Sequence, residues 1–309
     1  MIDPALVPAL RDVLTVAQTG SVAAAARRLY KTPSAVSQQM RRVEEHFGVA
    51  FFERQGRGVR PSAAGETALI AVARLFDEIE ATFGVLGALS GTSATTLRVA
   101  ASDYLGKGLL MPVIRRLLAE DAGLRVEITT MHSLAAPRSV ARGDVDFAIV
   151  TTAETTEGLT ERRLFQQPFF WVGPYRRRGD RRELRERLPE EPLLRLSAGS
   201  QGRRLLDAFL EGHRVRPAST IDVPSASLLL SYATGGIGIG LAPALAVVEA
   251  PRTRVRVEPA QVPSLPVKLL WRANYRLTDS LERFVQRISA ASHEAAQRIR
   301  TFARTAAER

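Results

Sequence analysis

The strongest constraint on the fold of this 309-residue chain is a pair of short helical patterns near its start, separated by a turn of a few residues. The first pattern, residues 22–29, contains the alanine run 23–26, which favours a helix and lets another helix approach closely. Thr32 and Pro33 then supply an N-cap and a proline at the first helical position, and a second amphipathic pattern covers residues 34–47. Two short helices joined this closely predict a helix-turn-helix.

The second helix of this pair and the segment after it carry side chains suited to DNA. Serine allows close approach, glutamine pairs with adenine, and arginine pairs with guanine or phosphate. Residues 50–61 flank a glycine-rich turn with three arginines, which predicts a β-hairpin wing for phosphate or minor-groove contact. The alternative is an alanine-rich helical bundle with solvated arginines. The predicted DNA-binding residues are Ser21, Thr32, Pro33, Ser34, Ser37, Gln38, Arg41, Arg54, Arg57 and Arg60.

Residues 63–90 form one long amphipathic stretch whose apolar side chains recur at alternating gaps of three and four. This spacing is typical of a helix that pairs with another helix, so we expect it to hold a dimer. The alternative is a helix docked on the core of its own domain. The predicted dimerisation residues are Leu69, Val72, Phe76, Ile79, Phe83 and Leu86.

Residues 91–309 alternate strand-like and helix-like runs, the pattern of an α/β fold with a largely parallel sheet. The small polar stretch 91–96 predicts a hinge linker, and the end of the chain looks like an exposed helical extension. Ligands of open α/β sheets bind beyond the carboxyl ends of strands, near helix N-termini. Because Ser102, Thr151 and Ser200 each follow a predicted strand, we expect a small anion, such as a carboxylate, to bind there.

The composition permits nucleic-acid binding and argues against several kinds of chemistry. The net charge is +11, with 43 basic residues that are nearly all arginine. The chain has no cysteine, which excludes disulfides, thiolate nucleophiles and zinc fingers, and its four histidines are too far apart to predict a metal site. The glycines of residues 236–240 do not fit a dinucleotide loop, and there is no nucleophile elbow or phosphate-binding loop. We therefore expect no enzymatic activity, no cofactor and no metal.

Two further features bear on where the chain works. No stretch approaches eighteen uninterrupted apolar residues, so no membrane-spanning helix is expected. The first ten residues lack the basic region and cleavage pattern of a secretory signal, which favours a cytoplasmic protein without a membrane partner.

The N-terminal residues resemble a known family. The runs 20–29, 32–39, 52–54, 60–62 and 64–66 together resemble the winged helix-turn-helix of LysR-type transcriptional regulators. Many members have Gln-Pro where this chain has Pro-Ser after Thr32, a departure that bears on base preference rather than on the fold.

The resemblance continues more loosely over residues 143–149 and 235–240. It implies an α/β fold with a winged helix-turn-helix, a long dimerising linker helix and a two-lobed effector domain similar to periplasmic binding proteins. The effector-binding residues that it implies are Ser102, Thr130, Thr151, Ser200 and Ser225. The implied segments are the DNA-binding domain 1–62, the linker helix 63–90 and the effector domain 91–309, with lobe I at about 96–167 and 270–309 and lobe II at about 168–269.

The function that we expect is that of a sequence-specific transcriptional regulator controlled by a small-molecule effector. Its expected partners are double-stranded promoter DNA, a small anionic effector and further copies of itself, as a dimer or a dimer of dimers. One alternative is an architectural DNA-binding protein whose C-terminal domain only oligomerises. Another is an enzyme with an appended DNA-binding domain, which the missing catalytic motifs disfavour.

Overall fold

The computed structural model describes residue 3 and residues 6–56, 58–90, 96–154, 158–175, 182–250, 255–273 and 279–307. They form two compact units, and none of their helices is long and apolar enough to cross a bilayer. The first unit lies within Met1–Ser93, Arg138–Asp146 and Arg272–Thr278, and the second within Ala94–Pro137, Phe147–Trp271 and Asp279–Arg309.

The first unit contains the predicted helix-turn-helix and wing. Ser21 and Thr32 accept hydrogen bonds from the backbone N–H groups of Ala24 and Ala35, at 3.4 Å and 3.2 Å, and so cap the second and third helices. The wing strands pair antiparallel. The elements are α1 Leu6–Thr19, α2 Val22–Arg28, α3 Pro33–Phe47, β1 Phe52–Gln55, β2 Gly58–Pro61 and α4 Ala63–Ser90.

A buried ion pair fixes the turn between α2 and α3. Asp12 of α1 is only 1% exposed, and Lys31 of the turn places its ammonium 2.8 Å from both carboxylate oxygens. A buried carboxylate is costly unless it is paired. Lys31 is therefore explained by this pair rather than by DNA contact.

The predicted dimerisation seam on α4 is divided between the core and the surface. Leu69, Val72 and Phe76 are 0%, 7% and 7% exposed and belong to the same apolar core as α1, so the expectation that they face a second subunit is wrong. Ile79 is partly buried against that core, whereas Phe83 is 69% exposed. The side chain of Leu86 lies outside the described residues. The reason is that α1 needs an apolar partner within its own domain, and α4 supplies it.

A buried arginine makes segments distant in sequence part of the first unit. Arg272 is 3% exposed, and its guanidinium donates to Asp77 of α4 at 2.7 Å. It also donates to the carbonyls of Val140 and Val145, at 2.8 Å and 3.2 Å. Three acceptors around one guanidinium satisfy a charge that could not otherwise be buried.

The second unit contains two five-stranded sheets, which we call lobe I and lobe II. The strands of lobe I are β3 Thr96–Ala101, β4 Arg125–Thr130, β5 Phe147–Thr151, β6 Leu159–Gln167 and β12 Leu265–Arg272. The strands of lobe II are β7 Phe169–Pro174, β8 Pro192–Leu196, β9 Ser219–Val223, β10 Ile239–Pro243 and β11 Val255–Pro259. Because β12 begins at Leu265, the chain returns to lobe I earlier than the expected residue 270.

Both sheets are mixed, so the expectation of a largely parallel sheet is wrong. The orders are β4-β3-β5-β12-β6 and β11-β7-β10-β8-β9. β3 runs parallel to β4 and β5, and β8 runs parallel to β9 and β10. β12 is antiparallel to β5, and β7 is antiparallel to β10 and β11. The two antiparallel strands β7 and β12 are the ones with which the chain enters the other lobe, after β6 and β11 respectively.

Helices cover these sheets and reach across both lobes. Phe284 of the last helix contacts Phe147 of lobe I, with ring centroids 4.9 Å apart, and Phe302 contacts Phe170 of lobe II at 5.3 Å. The end of the chain is thus a packed helix, and the expected exposed extension is wrong. The helical segments are α5 Asp103–Leu105, a π-helix Gly106–Leu110, α6 Met111–Glu120, α7 Ala136–Ala141, a 3-10 helix Leu184–Arg187, α8 Gln201–Gly212, α9 Ala226–Thr234, α10 Ala244–Glu249 and α11 Asp279–Ala307.

The burial pattern of α4 predicts opposite results for two leucines. Replacing Leu69 with Ala removes a fully buried side chain and should destabilise the first unit by about 2–5 kcal/mol. Replacing Leu75, which is 41% exposed, should change its stability by less than about 1 kcal/mol. Urea unfolding of both variants measures the difference, and equal losses would contradict the burial of this helix face.

Candidate DNA-binding and effector sites

The predicted base-reading side chains lie on the exposed side of α3. Ser34, Gln38 and Arg41 are exposed and Ser37 is half-buried, all within the first three turns of this helix. The opposite side, with Val36, Met40 and Val43, is buried in the domain core. Packing therefore leaves the N-terminal half of α3 open to a ligand. Thr32 and Pro33 begin the helix, and Ser21 caps α2, so these three residues have structural roles whether or not they also contact DNA.

The wing presents its arginines unequally. Arg54 is exposed and has no partner among the described residues. Arg60 faces Glu53 across the hairpin, 3.2 Å away, but both side chains are at least half exposed, so this ion pair is weak. Arg57 lies outside the described residues.

The wing is held against the turn that precedes α2. Val59 donates its N–H to the carbonyl of Gly20 at 3.0 Å, and a Cβ on Gly58 would lie only 2.7 Å from that oxygen. The absence of a side chain at Gly58 therefore permits this close approach. The contact fixes the wing beside the helix-turn-helix.

Tyr30 is a residue that the sequence analysis did not single out. It lies in the turn between α2 and α3, its side chain is 98% exposed, and its φ of 55° falls in the left-handed region. Neither exposure of a large ring nor a positive φ is favourable for tyrosine. Its place just ahead of Thr32 adds an aromatic group to the exposed surface of the motif.

Three of the five predicted effector residues already use their hydroxyls in the fold. Ser200 and Ser225 accept hydrogen bonds from Arg203 N and Leu228 N, both at 3.2 Å, and so cap α8 and α9. Thr151 shares a hydrogen bond of 2.7 Å with the Tyr104 hydroxyl. Helix capping is therefore enough to explain a serine after the strand at Ser200 and Ser225.

Ser102 and Thr130 are brought together. They line one cavity of about 260 Å³ at the carboxyl ends of β3 and β4, beside Ala101, Asp103 and Gly106, with Met111, Ile114 and Ile128 completing the wall. Ser102 Oγ is buried and makes no hydrogen bond of normal geometry with the described residues. A buried hydroxyl without a partner is unfavourable, so this group would gain from a hydrogen bond to a ligand in the adjoining cavity. Thr151, Ser200 and Ser225 are not among the residues lining this cavity.

Tyr104 links the end of β5 to the start of α5. Burial raises the pKa of Tyr104 to about 12, and the hydroxyls of Thr151 and Ser102 only partly oppose that rise. A tyrosine is protonated at neutral pH even at its ordinary pKa of about 10, so this rise does not change the protonation state of the phenol there. It directly follows Ser102 and Asp103, but only the folded chain shows its contact with Thr151.

The two lobes touch through residues adjacent to the predicted ones. Gln201 donates to Thr152 Oγ1 at 3.1 Å, and Arg204 pairs with Glu154 at 2.8 Å. At a second place between the lobes, the Ser227 N–H of α9 donates to the Asp103 carboxylate of α5 at 2.9 Å. Each pair joins lobe I to lobe II, so polar contacts hold the two lobes together.

Comparison with known proteins agrees with this architecture. Residues 8–66 match the profile described as the bacterial regulatory helix-turn-helix protein, lysR family, and residues 90–292 match the LysR substrate binding domain. The HTH-type transcriptional regulator CbbR of Xanthobacter flavus is 29% identical over 274 residues, covering 85% of this chain and 80% of that protein. An uncharacterized HTH-type transcriptional regulator, YfeR of Shigella flexneri, is 27% identical over 243 residues, which cover 77% of this chain and 78% of that protein.

Solved structures share the fold. A full-length OxyR variant from Pseudomonas aeruginosa superimposes with a TM-score of 0.67 at 22% identity, covering 95% of this chain and 96% of that one. Full-length LysG from Corynebacterium glutamicum, solved with bound effector Arg, superimposes with a TM-score of 0.65 at 20% identity. The match covers 93% of this chain and 98% of that one. The matched profiles span most of the sequence, and the chain therefore belongs to the LysR family of DNA-binding transcriptional regulators with an effector-binding domain.

Proposed function

We propose that this regulator reads its operator through Ser34, Ser37, Gln38 and Arg41 of α3, while Arg54, Arg57 and Arg60 of the wing contact the sugar-phosphate backbone or the minor groove. The observation that carries the proposal is the opposite burial of the two sides of α3, which leaves these polar side chains exposed. The N-terminal half of a recognition helix is the part that meets base edges. A structural relative, CbnR, has been solved with its target DNA.

We propose that the assembly is a dimer or a dimer of dimers in which α4 contributes through its solvent-facing side. Leu69, Val72 and Phe76 are buried in the chain itself, so the surface available for pairing includes Leu75, which is 41% exposed, and Phe83. Exposed large apolar side chains along one helix are typical of an interface. This arrangement keeps the predicted role of the helix but changes which residues perform it.

We propose that the effector is a small anion bound at Ser102 and Thr130. The buried Ser102 hydroxyl, which makes no hydrogen bond of normal geometry with the described residues, can donate to a carboxylate oxygen, and Met111 and Ile128 provide apolar contact. Thr151 takes part indirectly, because it orients Tyr104 near the start of the helix that follows Ser102.

The same observations favour a regulator over the alternatives. Because DNA is its target, we place the protein in the cytoplasm, and we propose that it binds its effector without transforming it. A purely architectural DNA-binding protein would take no effector. A thermal-shift screen with small carboxylates separates the two, since a ligand at one hundred times its Kd should stabilise the protein by about 2.7 kcal/mol.

The first prediction concerns base readout. On an operator selected from a random-sequence duplex library, Gln38→Ala should lose about 1–3 kcal/mol of discrimination at one base position, because a paired base edge loses its partner. Arg54→Ala should lower the affinity for all DNA sequences by a similar factor and reduce the salt dependence of binding. Fluorescence anisotropy on single-base operator variants measures both. Unchanged sequence preference in Gln38→Ala would show that α3 does not read bases through this residue.

The second prediction concerns the oligomer. Phe83→Asp should halve the mass of the assembly formed by the full chain, because the new carboxylate would lose its water in the interface. Folding should be unaffected, since Phe83 is exposed in the single chain. The neighbouring exposed Thr82→Asp is the matched control for added charge. Analytical ultracentrifugation reports the masses. If Phe83→Asp assembles to the same mass as the wild type, this side of α4 is not part of the interface.

The third prediction concerns the effector. For a carboxylate found in the thermal-shift screen, Ser102→Ala should weaken binding by about 0.5–3 kcal/mol, the range for hydrogen bonds to neutral and charged partners. Ser289→Ala, whose hydroxyl donates within α11 to Val285 O, is the control. Calorimetry that finds equal affinities for Ser102→Ala and wild type would reject this position.

A further inference from the structure

A second cavity, lined by none of the predicted effector residues, lies between α5 with the π-helix and the lobe II helices α9 and α10. Its volume is about 360 Å³, within the range of small-molecule sites. It shares no lining residue with the cavity at Ser102. Tyr104 and Lys107 line it from lobe I, and residues of α9 and α10 line it from lobe II: Ser227, Leu230, Ser231, Thr234, Ala246 and Glu249, with Ala250 directly after α10.

The helix that carries Lys107 has an unusual backbone. Residues Gly106–Leu110 are π-helical between the α-helical turns of α5 and α6. Such π-helical insertions are rare and occur frequently at functional sites. The residues of this stretch are divided between the two cavities: Asp103 and Gly106 line the first, whereas Tyr104 and Lys107 line the second.

Close packing brings α10 against this insertion. A Cβ on Gly108 would lie 2.9 Å from Leu245 Cγ and 3.1 Å from Glu249 Cγ, so the glycine allows a contact that a larger residue would disturb. Arg298 of α11 pairs with Glu249 and donates to the carbonyl of Gly108 at 3.0 Å. The charge of Glu249 is therefore already neutralised, and the wall is tied to both lobes.

The charge that remains in the cavity wall is positive. Lys107 is exposed and its ammonium has no hydrogen-bond or ion-pair partner among the described residues. Ser231 and Thr234 donate to the carbonyls of Ser227 and Leu230, at 3.0 Å and 2.8 Å, so their oxygens present lone pairs rather than protons. The ammonium is thus the charged donor facing the cavity, and Leu230 and the neighbouring alanines provide apolar contact.

We propose that this cavity is a second ligand site, which binds a small monocarboxylate with an apolar body through Lys107. One unneutralised cation matches one anionic group, and the apolar wall matches a short hydrocarbon chain. A ligand there touches lobe I and lobe II together, so it favours the closed arrangement of the effector domain. The site shares no lining residue with the one at Ser102, so the two cavities can hold separate ligands.

The test uses the full-length protein and isothermal titration with 4-methylpentanoate, with its uncharged amide as the ligand control. Wild type should bind the carboxylate more tightly than the amide. Lys107→Gln should weaken carboxylate binding about ten- to one-hundred-fold, as expected for a lost charge-assisted hydrogen bond. Arg116→Gln removes an exposed cation from the same helical stretch and should leave the affinity unchanged. Ser231→Leu, which fills the cavity without changing charge, should weaken binding as well.

Ser102→Ala separates this site from the effector site at Ser102, because it should leave 4-methylpentanoate binding intact. No binding by wild type at millimolar carboxylate, or equal affinity in Lys107→Gln and wild type, would overturn the proposal. Loss of binding in Ser102→Ala with full binding in Lys107→Gln would assign the carboxylate to the first cavity instead, and thus support that site at the expense of this one.

Discussion

The DNA-binding half of the molecule depends on one packing constraint, the burial of the first turns of α4 against α1. Leu69, Val72 and Phe76 complete a core that the short helices could not form alone, because a domain of this size has little apolar surface to bury. Once α4 occupies that side, the N-terminal half of α3 and the wing remain on the surface. The same helix then carries Asp77, which satisfies the buried Arg272.

In the effector unit, function depends on which hydroxyls the fold leaves unused. Serine follows β3 and β8 alike, yet Ser200 caps a helix while Ser102 has no hydrogen-bond partner of normal geometry among the described residues. The difference arises after the strand, because α5 begins without accepting a side-chain cap from Ser102. An unsatisfied buried hydroxyl and a satisfied cap look identical in the sequence, and they differ in their capacity to bind a ligand.

A single helical stretch serves both candidate ligand cavities. Asp103 and Gly106 line one cavity, whereas Tyr104 and Lys107 of the same stretch line the other. Contacts between the lobes, such as Gln201 with Thr152, lie close to the ends of the same sheets. Ligand binding and lobe closure therefore involve neighbouring groups, which is the physical requirement for a ligand to shift a conformational equilibrium.

The sequence by itself determined the features that depend on neighbouring residues. The helix over the alanine run, the cap at Thr32 and the wing after α3 follow from helix propensity, capping and turn chemistry, and the strands β3, β5 and β8 follow from short strand-like runs ahead of Ser102, Thr151 and Ser200. Only the tertiary structure decided which apolar face of α4 is core, that both sheets are mixed, and that Phe302 of the last helix packs on lobe II. Those outcomes depend on contacts between residues far apart in the chain, and the spacing of apolar residues is the same whether a helix packs on its own domain or on a second subunit.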